Sequence, residues 1–248
     1  MIPKIIHYCW LSNNPIPSSL QEYMKSWKKF LPDYEFMLWN LDRFDKTSSI
    51  WVQEAFKKKK YAFAADYIRL YAVYNYGGFY LDMDVEVLKP FNDLLNLKSA
   101  VCWQDEQDGF EAACFGAEKG SPWIKECLNY YKNRHFILPD GKLDLKPLPN
   151  IMEDTLRTKG YSIENIFSIG ECLKKEKNNA LMVLSNAFFS PKSYQTGIIT
   201  KTEQTYSIHH FAASWVNPYD NLPLYAKMWK FLHLPDTNIR ERFFKKKK

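Results

Sequence analysis

Residues 61–88, YAFAADYIRLYAVYNYGGFYLDMDVEVL, decide how the rest of the chain is read. Tyr61 to Tyr76 carries helix formers and apolar residues on most faces, the pattern of a buried helix. Gly77-Gly78 supplies the left-handed residue that closes it. Phe79, Tyr80 and Leu81 then form a short apolar run suited to a central strand. Asp82-Met83-Asp84 follows, and Val85, Val87 and Leu88 make a second β-like run that Pro90 ends.

Two aspartates two residues apart at a strand end repel each other, and their side chains converge only around a cation or in water. A divalent metal is the obvious cation. Asp66 and Arg69 are three apart on the preceding helix and so share a face. The double glycine can fold that face back toward the carboxylates, so that an acid and a base border one pocket. Asp-x-Asp by itself occurs in many ordinary turns. The specific signal is the whole constellation of acid, arginine, double glycine, aromatic strand and paired aspartates.

On these residues the stretch resembles a family. Ala65-Asp66, Arg69, Gly77-Gly78, Tyr80-Leu81-Asp82 and Asp84 look like the sugar-nucleotide-binding core of the DXD glycosyltransferases, specifically family 32 of the GT-A fold. That group includes bacterial capsule and O-antigen transferases and yeast α-mannosyltransferases. More distantly, the stretch is similar to the glucosyltransferase domains of large clostridial toxins. The resemblance implies an α/β fold, a mixed central sheet with flanking helices.

The chain has 248 residues, and no Pro/Gly/Ser-rich linker divides it. It reads as one domain: residues 1–116 as the donor nucleotide-binding half, 117–234 as the acceptor side and closing elements, and 235–248 as a basic tail. An apolar share of 46% is ample for a core, and the eight Trp and sixteen Tyr suit clefts as well as packing. The net charge of +6 fits a polyanion, a phosphorylated substrate or an anionic membrane and selects none of them. Cys9, Cys102, Cys114, Cys127 and Cys172 form no C-x-x-C pair, which argues against a disulfide framework or zinc knuckle and for a reducing cytoplasm. Neither an export signal nor an 18-residue apolar span is legible.

Along the chain, Ile2 to Cys9 reads as a first strand, Ser18 or Ser19 as the cap of a helix through Phe30, and Tyr34 to Trp39 as a second strand. This is the opening of a nucleotide-binding α/β sheet. Thr47 to Lys60 reads as a helix whose lysines form a solvated face. Ala100 to Gln104 and Ala113 to Gly116 read as strands, Pro122 to Asn133 as a helix capped by Ser121, and Ile151 to Lys159 as a further helix. Residues 165–179 are uninformative. Between two of these strands, Asp105, Glu106, Asp108 and Glu111 form an acidic loop, read either as an ordinary exposed loop or as a face toward the acceptor.

In the strand expected over Thr205 to Phe211, Ser207, His209 and Phe211 point one way and Tyr206, Ile208 and His210 the other. Only one histidine can face a given site. The resemblance implies that a histidine followed by Ser214-Trp215 completes the metal and diphosphate shell, with His209 favoured as ligand and His210 as its rival. It further implies that Asp84 binds the metal directly and that Asp82 joins it while touching the ribose or sugar. Asp66 and Arg69 would hold the donor sugar and Trp10 would stack on its base. His7, beside Trp10, is a donor contact or a satisfied core histidine. Two carboxylates and an imidazole suit Mn2+ better than Mg2+, which remains possible.

The function expected is therefore a retaining transfer of a hexose from a nucleotide diphosphate sugar, UDP favoured over GDP-mannose, to a glycan or lipid-linked glycan in surface polysaccharide synthesis. Leu222 to Leu234 is amphipathic and leads to four C-terminal lysines, which suits peripheral contact with the anionic inner face of the cytoplasmic membrane. Three rivals are weighed. A haloacid-dehalogenase-type phosphohydrolase wants Thr or Val where this chain has Glu86. A nucleic-acid binder lacks a basic stripe interleaved with aromatics. A non-catalytic sugar-nucleotide sensor has no need of the paired carboxylates.

Overall fold

Strands β1 (Ile5–Cys9), β2 (Glu35–Trp39) and β3 (Gly78–Leu81) lie side by side and parallel, with β1 in the middle, so the C-terminal ends of all three open onto one edge. The computed structural model describes residues 1–104, 109–175 and 180–212. Met1–Phe211 form one compact unit. Its helices are α1 (Ser18–Phe30), α2 (Ile50–Lys57), α3 (Tyr61–Tyr76), α4 (Pro122–Tyr130), α5 (Leu148–Thr158) and α6 (Ile169–Lys175). The remaining strands are β4 (Val85–Val87), β5 (Ser99–Cys102), β6 (Cys114–Ala117), β7 (Ser162–Ile166), β8 (Ala180–Leu184) and β9 (Ser207–His209).

Seven strands make one sheet in the order β2-β1-β3-β6-β5-β8-β7. Antiparallel β6 joins two parallel groups, pairing with β3 on one side and β5 on the other. This is the mixed α/β sheet with flanking helices that the resemblance to the GT-A fold implied. Strand alternation sorts the core onto two faces. Tyr80 and Phe115 pack with residues of α2, α3, α4 and α5, whereas Phe79 and Leu81 pack with Trp27 of α1 and Cys172 of α6.

A second, two-stranded sheet pairs β4 antiparallel with β9, placing Val85 opposite His209 and Val87 opposite Ser207. Trp27 of α1 braces it by donating its indole N–H to the Val85 carbonyl at 2.7 Å. The residues that follow the Asp-x-Asp turn are thereby held against a segment far along the chain.

Helix α3 has the expected bounds, and Gly77 stops it with φ +69°, its N–H donating to the Val73 carbonyl at 2.8 Å. Other boundaries differ. Ser18 and Ser19 do not cap α1: Pro17 occupies the cap position with extended backbone, and its carbonyl takes the N–H groups of Leu20 and Gln21. The helix expected over 47–60 is broken into a 3-10 turn, Lys46–Ser48, and α2, because the side chain of Ser49 accepts the N–H of Val52 and starts a new helix there. Lys57 to Lys60 are exposed, as a solvated face requires. Ser121 stands at the start of α4 without a side-chain cap bond, and α4 ends at Tyr130, short of Asn133. Helix α6 and the end of β7 fall in the uninformative stretch 165–179, and β8 follows it. Among the described residues no helix is long and apolar enough to cross a membrane.

Candidate active site

The site lies at the C-terminal edge of β1 and β3, where ligands of open α/β sheets bind. Asp82 is the first residue past β3, and its N–H donates to the Ala113 carbonyl at 2.8 Å. Its carbonyl accepts from Val85 N at 3.0 Å, closing the tight turn that carries Asp84. The same turn leads into β4, so His209 on β9 is delivered next to Asp84 by strand pairing. One oxygen each from Asp82 and Asp84 and one nitrogen of His209 lie within 4.8 Å of one another. His209 Nε2 is 3.6 Å from Asp84 Oδ2, and its Nδ1 is 3.3 Å from Glu111 Oε2.

Arg69, buried on α3, joins this group from below. Its Nη1 is 3.2 Å from Asp82 Oδ2 and donates to the Ala112 carbonyl at 2.8 Å, while Nη2 is 3.2 Å from Asp66 Oδ1. The Tyr80 hydroxyl donates to Asp82 Oδ1 at 2.7 Å, and the guanidinium lies over the Tyr80 ring, 4.6 Å from its centroid. Both oxygens of Asp82 are thus steered by side chains beneath the site.

The electrostatics follow from gathering acids in a partly dry place. Burial raises the Asp66 carboxyl to about 6, with Arg69 opposing and Asp82 adding to the rise. Burial also raises Asp82, against Arg69. His209 moves the other way: burial lowers it, but Glu111 and Asp84 outweigh that and push it up to about 10. Burial raises Glu111, but the charge and hydrogen bond of His209 together with the Ala113 N–H and Ser190 hold it below the usual carboxylate range. A cluster that draws a proton onto its histidine at neutral pH is one that collects positive charge, and two carboxylates with an imidazole are a donor set suited to a divalent cation.

Residues 17–101 match the family described as the glycosyltransferase sugar-binding region containing a DXD motif. The one Asp-x-Asp within them is Asp82-Met83-Asp84, the pair at the centre of this cluster. Over these residues the chain carries the DXD sugar-binding region of a glycosyltransferase. It is 32% identical over 143 residues to inositol phosphoceramide mannosyltransferase 3 of Schizosaccharomyces pombe, which covers 54% of this chain and 40% of that protein. It is 34% identical over 205 residues to mannosyl phosphorylinositol ceramide synthase SUR1 of Saccharomyces cerevisiae, covering 81% of this chain and 51% of the relative. The chain therefore spans about half the length of the curated relatives it matches. Among solved structures, PaToxG glycosyltransferase aligns with a TM-score of 0.48 and 20% identity, over 64% of this chain and 69% of that one.

Around the DXD pair, the structure brings together Asp66, Arg69, Tyr80, Asp82, Asp84 and, from beyond the matched region, His209. Of the two histidines, His210 is turned elsewhere: its Nε2 is 2.9 Å from Glu86 Oε2 and its ring stacks on Tyr23 with centroids 4.5 Å apart. Strand alternation separates the neighbours, as expected, although β9 ends at His209 and Phe211 returns to the His209 ring, 4.0 Å away, through a left-handed turn with φ +53°. Trp10 follows the end of β1, partly exposed at the same edge, its indole N–H donating to the Asn14 carbonyl at 2.7 Å.

His7 is fully buried, with Nε2 2.7 Å from the Gly77 carbonyl and Nδ1 accepting from the Trp39 indole at 3.1 Å. Both ring nitrogens are used inside the protein, so of its two readings the core histidine is the one the contacts fit, and no nitrogen is left for a donor. Glu111, expected on an acidic loop facing the acceptor, is 1% exposed and engaged by His209 and by the N–H of Ala113. Phe-Glu-Ala-Ala-Cys-Phe surrounds it with apolar neighbours, a sequence sign of burial that the loop reading passed over. Asp105, Glu106, Asp108, Ser214, Trp215, the amphipathic stretch 222–234 and the basic tail lie outside the described residues.

Proposed function

We propose that the chain is a retaining, metal-dependent glycosyltransferase that moves a hexose from a nucleotide diphosphate sugar to a glycan or lipid-linked acceptor. The observation that carries this reading is the convergence of Asp82, Asp84 and His209 within 4.8 Å, on a turn whose carboxylate is braced by Arg69. Asp84 and His209 would hold the cation, with Asp82 sharing it. A divalent cation bound there, Mn2+ by its donor set, would neutralise charge on the leaving diphosphate.

The chain's own residues do the positioning. Arg69 and Tyr80 fix both oxygens of Asp82, so that this carboxylate meets its ligand in one orientation and loses little freedom on binding. Asp66, kept partly protonated near neutral pH by burial, can donate as well as accept a hydrogen bond to a sugar hydroxyl. Trp10 offers a ring at the strand edge for the base of the donor. Retention, which the family resemblance implies, asks for no dedicated base. Glu111 is buried and paired with His209, so it is not placed to take a proton from an acceptor.

The mannosyl group in the relatives' names supports mannose as the transferred hexose, on GDP, over the UDP-sugar expected from the sequence. The inositol phosphoceramide in those names supports a lipid-borne acceptor over a capsule precursor. The setting we assign is the cytoplasm with peripheral contact to the inner membrane face, supported by five buried free cysteines and the C-terminal lysines. The test is a release and transfer assay with Mn2+ and GDP-mannose beside UDP-hexoses. Turnover of either that disappears in Asp84→Ala supports the transferase, the faster donor names the sugar, and NMR of the product's anomeric centre reads retention. Absence of turnover with every nucleotide sugar, beside phosphate release from sugar phosphates, overturns it.

A further inference from the structure

We propose that Glu111 is a positioning residue that orients His209 for the cation, accepting the Nδ1 N–H in a hydrogen bond so that Nε2 presents a lone pair to the space between Asp84 and Asp82. The inference rests on the metal-dependent reading above. A neutral imidazole has one nitrogen able to ligate, and the hydrogen bond made by the other nitrogen decides which it is. Here the two nitrogens face different acids: Nδ1 is 3.3 Å from Glu111 Oε2, and Nε2 is 3.6 Å from Asp84 Oδ2. An ionised carboxylate only accepts, and of the two only Glu111 is within hydrogen-bond distance of its nitrogen, so Nδ1 donates to Glu111 and Nε2 is left for the ligand.

The placement of Glu111 is built rather than incidental. It is 1% exposed, its Oε1 accepts the N–H of Ala113 at 2.7 Å, and its own N–H donates to the Cys102 carbonyl at 2.8 Å. The Ala113 carbonyl in turn accepts from Asp82 N at 2.8 Å, so one short segment of backbone sets the distance between Glu111 and the Asp-x-Asp turn. On the far side, the Phe211 ring lies 4.0 Å from the imidazole and limits its rotation. The carboxylate, the ring and the strand pairing of His209 with Val85 together leave the imidazole one orientation.

Glu111→Gln tests this sharply. The side-chain amide has one acceptor oxygen, which the Ala113 N–H claims, and its NH2 then faces Nδ1, forcing that nitrogen to accept and the proton onto Nε2. With the fold checked by circular dichroism, Mn2+ affinity is expected to fall about tenfold to hundredfold, the usual cost of losing such a partner. Pulsed EPR of bound Mn2+ is expected to lose the coupling from a directly ligated imidazole nitrogen. Glu111→Asp, which keeps the charge but withdraws it by one methylene, is expected to weaken Mn2+ by less and serves if the glutamine variant does not fold. Unchanged affinity and nitrogen coupling in either folded variant overturn the proposal alone. Wild-type protein that takes up no Mn2+ overturns the metal-dependent reading and this proposal with it.

Discussion

Arg69 lies between two carboxylates on separate elements, 3.2 Å from Asp82 past β3 and 3.2 Å from Asp66 one turn earlier on its own helix. Burial opposes the guanidinium's charge, and Asp82, then Tyr80 and Asp66, more than restore it. Removing one partner of such a group strands the others without compensation. Arg69→Met is expected to lose about 3–5 kcal/mol of folding stability at pH 7 by urea denaturation. The loss should shrink on acidification. A carboxyl raised to about 6 in the folded protein takes up its proton before the unfolded chain does, which relieves the unpaired charge as pH falls through that value. A loss that grows toward pH 5 would contradict the pairing.

Asp84 is the sharpest test of the cation. Its carboxylate lies 3.6 Å from His209 Nε2 and within the group that would hold the cation, so Asp84→Ala, with its fold checked by circular dichroism, should abolish transfer. Mn2+ at about a hundred times its dissociation constant should stabilise the wild-type protein by about 2.7 kcal/mol and leave the variant unmoved in a thermal melt. Because His209 sits at about 10 without a cation, binding at neutral pH should also release close to one proton, read by calorimetry in buffers of different ionisation heat. EDTA should remove both the stabilisation and the turnover.

His7 makes stability depend on pH in a definite direction. Burial lowers it from 6.5 to about 4, although the Gly77 carbonyl opposes the shift, and protonating Nδ1 would set an N–H against the Trp39 N–H. Since the folded value lies below the unfolded one, the unfolded chain binds the proton first. The stability this contributes is complete above pH 6.5 and is lost as pH falls toward 4. The difference is worth about 3 kcal/mol. His7→Gln should be less stable at pH 7 but flatter in that window, and a parallel pH profile for the two proteins would remove His7 as the cause.

The centre of the site could be read from the chain because its signals are local. A 16-residue helix, a glycine stop and an apolar strand each announce themselves within a few residues. Two-residue alternation announced that His209 and His210 would face opposite ways, but not which of them faces the carboxylates. What escaped was set by contacts distant in sequence or by elements too small to show a period. β7 is a partly exposed strand, Ser-Ile-Glu-Asn-Ile, and α6 has only seven residues, so neither builds a hydrophobic pattern long enough to recognise. Glu111 reads as one more acid in an acidic loop until its partner on β9 is placed. The cap of α1 fell to Pro17 because Pro at that point has the required backbone and no N–H to satisfy, which outcompeted two serines.

The double glycine gives the last prediction, because it sets how closely β3 approaches β1 and so where Asp82 falls. Gly78 has φ +101°, and a Cβ there would sit 2.6 Å from the Ile5 carbonyl oxygen and 3.0 Å from Ile5 Cβ. The obstacle is backbone of the neighbouring strand, next to the Ile6–Phe79 pairing, and it cannot swing aside as a side chain can. Gly78→Ala is therefore expected to cost about 2–4 kcal/mol, backbone strain and displacement of a packed strand acting together. Gly120 is the control: its φ is +75° but nothing lies within 4 Å of its added Cβ. Gly120→Ala should cost only the left-handed penalty of about 1–2 kcal/mol. Because only the first substitution pushes on β3, only it should also weaken Mn2+ binding; equal effects of the two on stability and on Mn2+ would mean that the close approach of β3 to β1 does not set the position of Asp82.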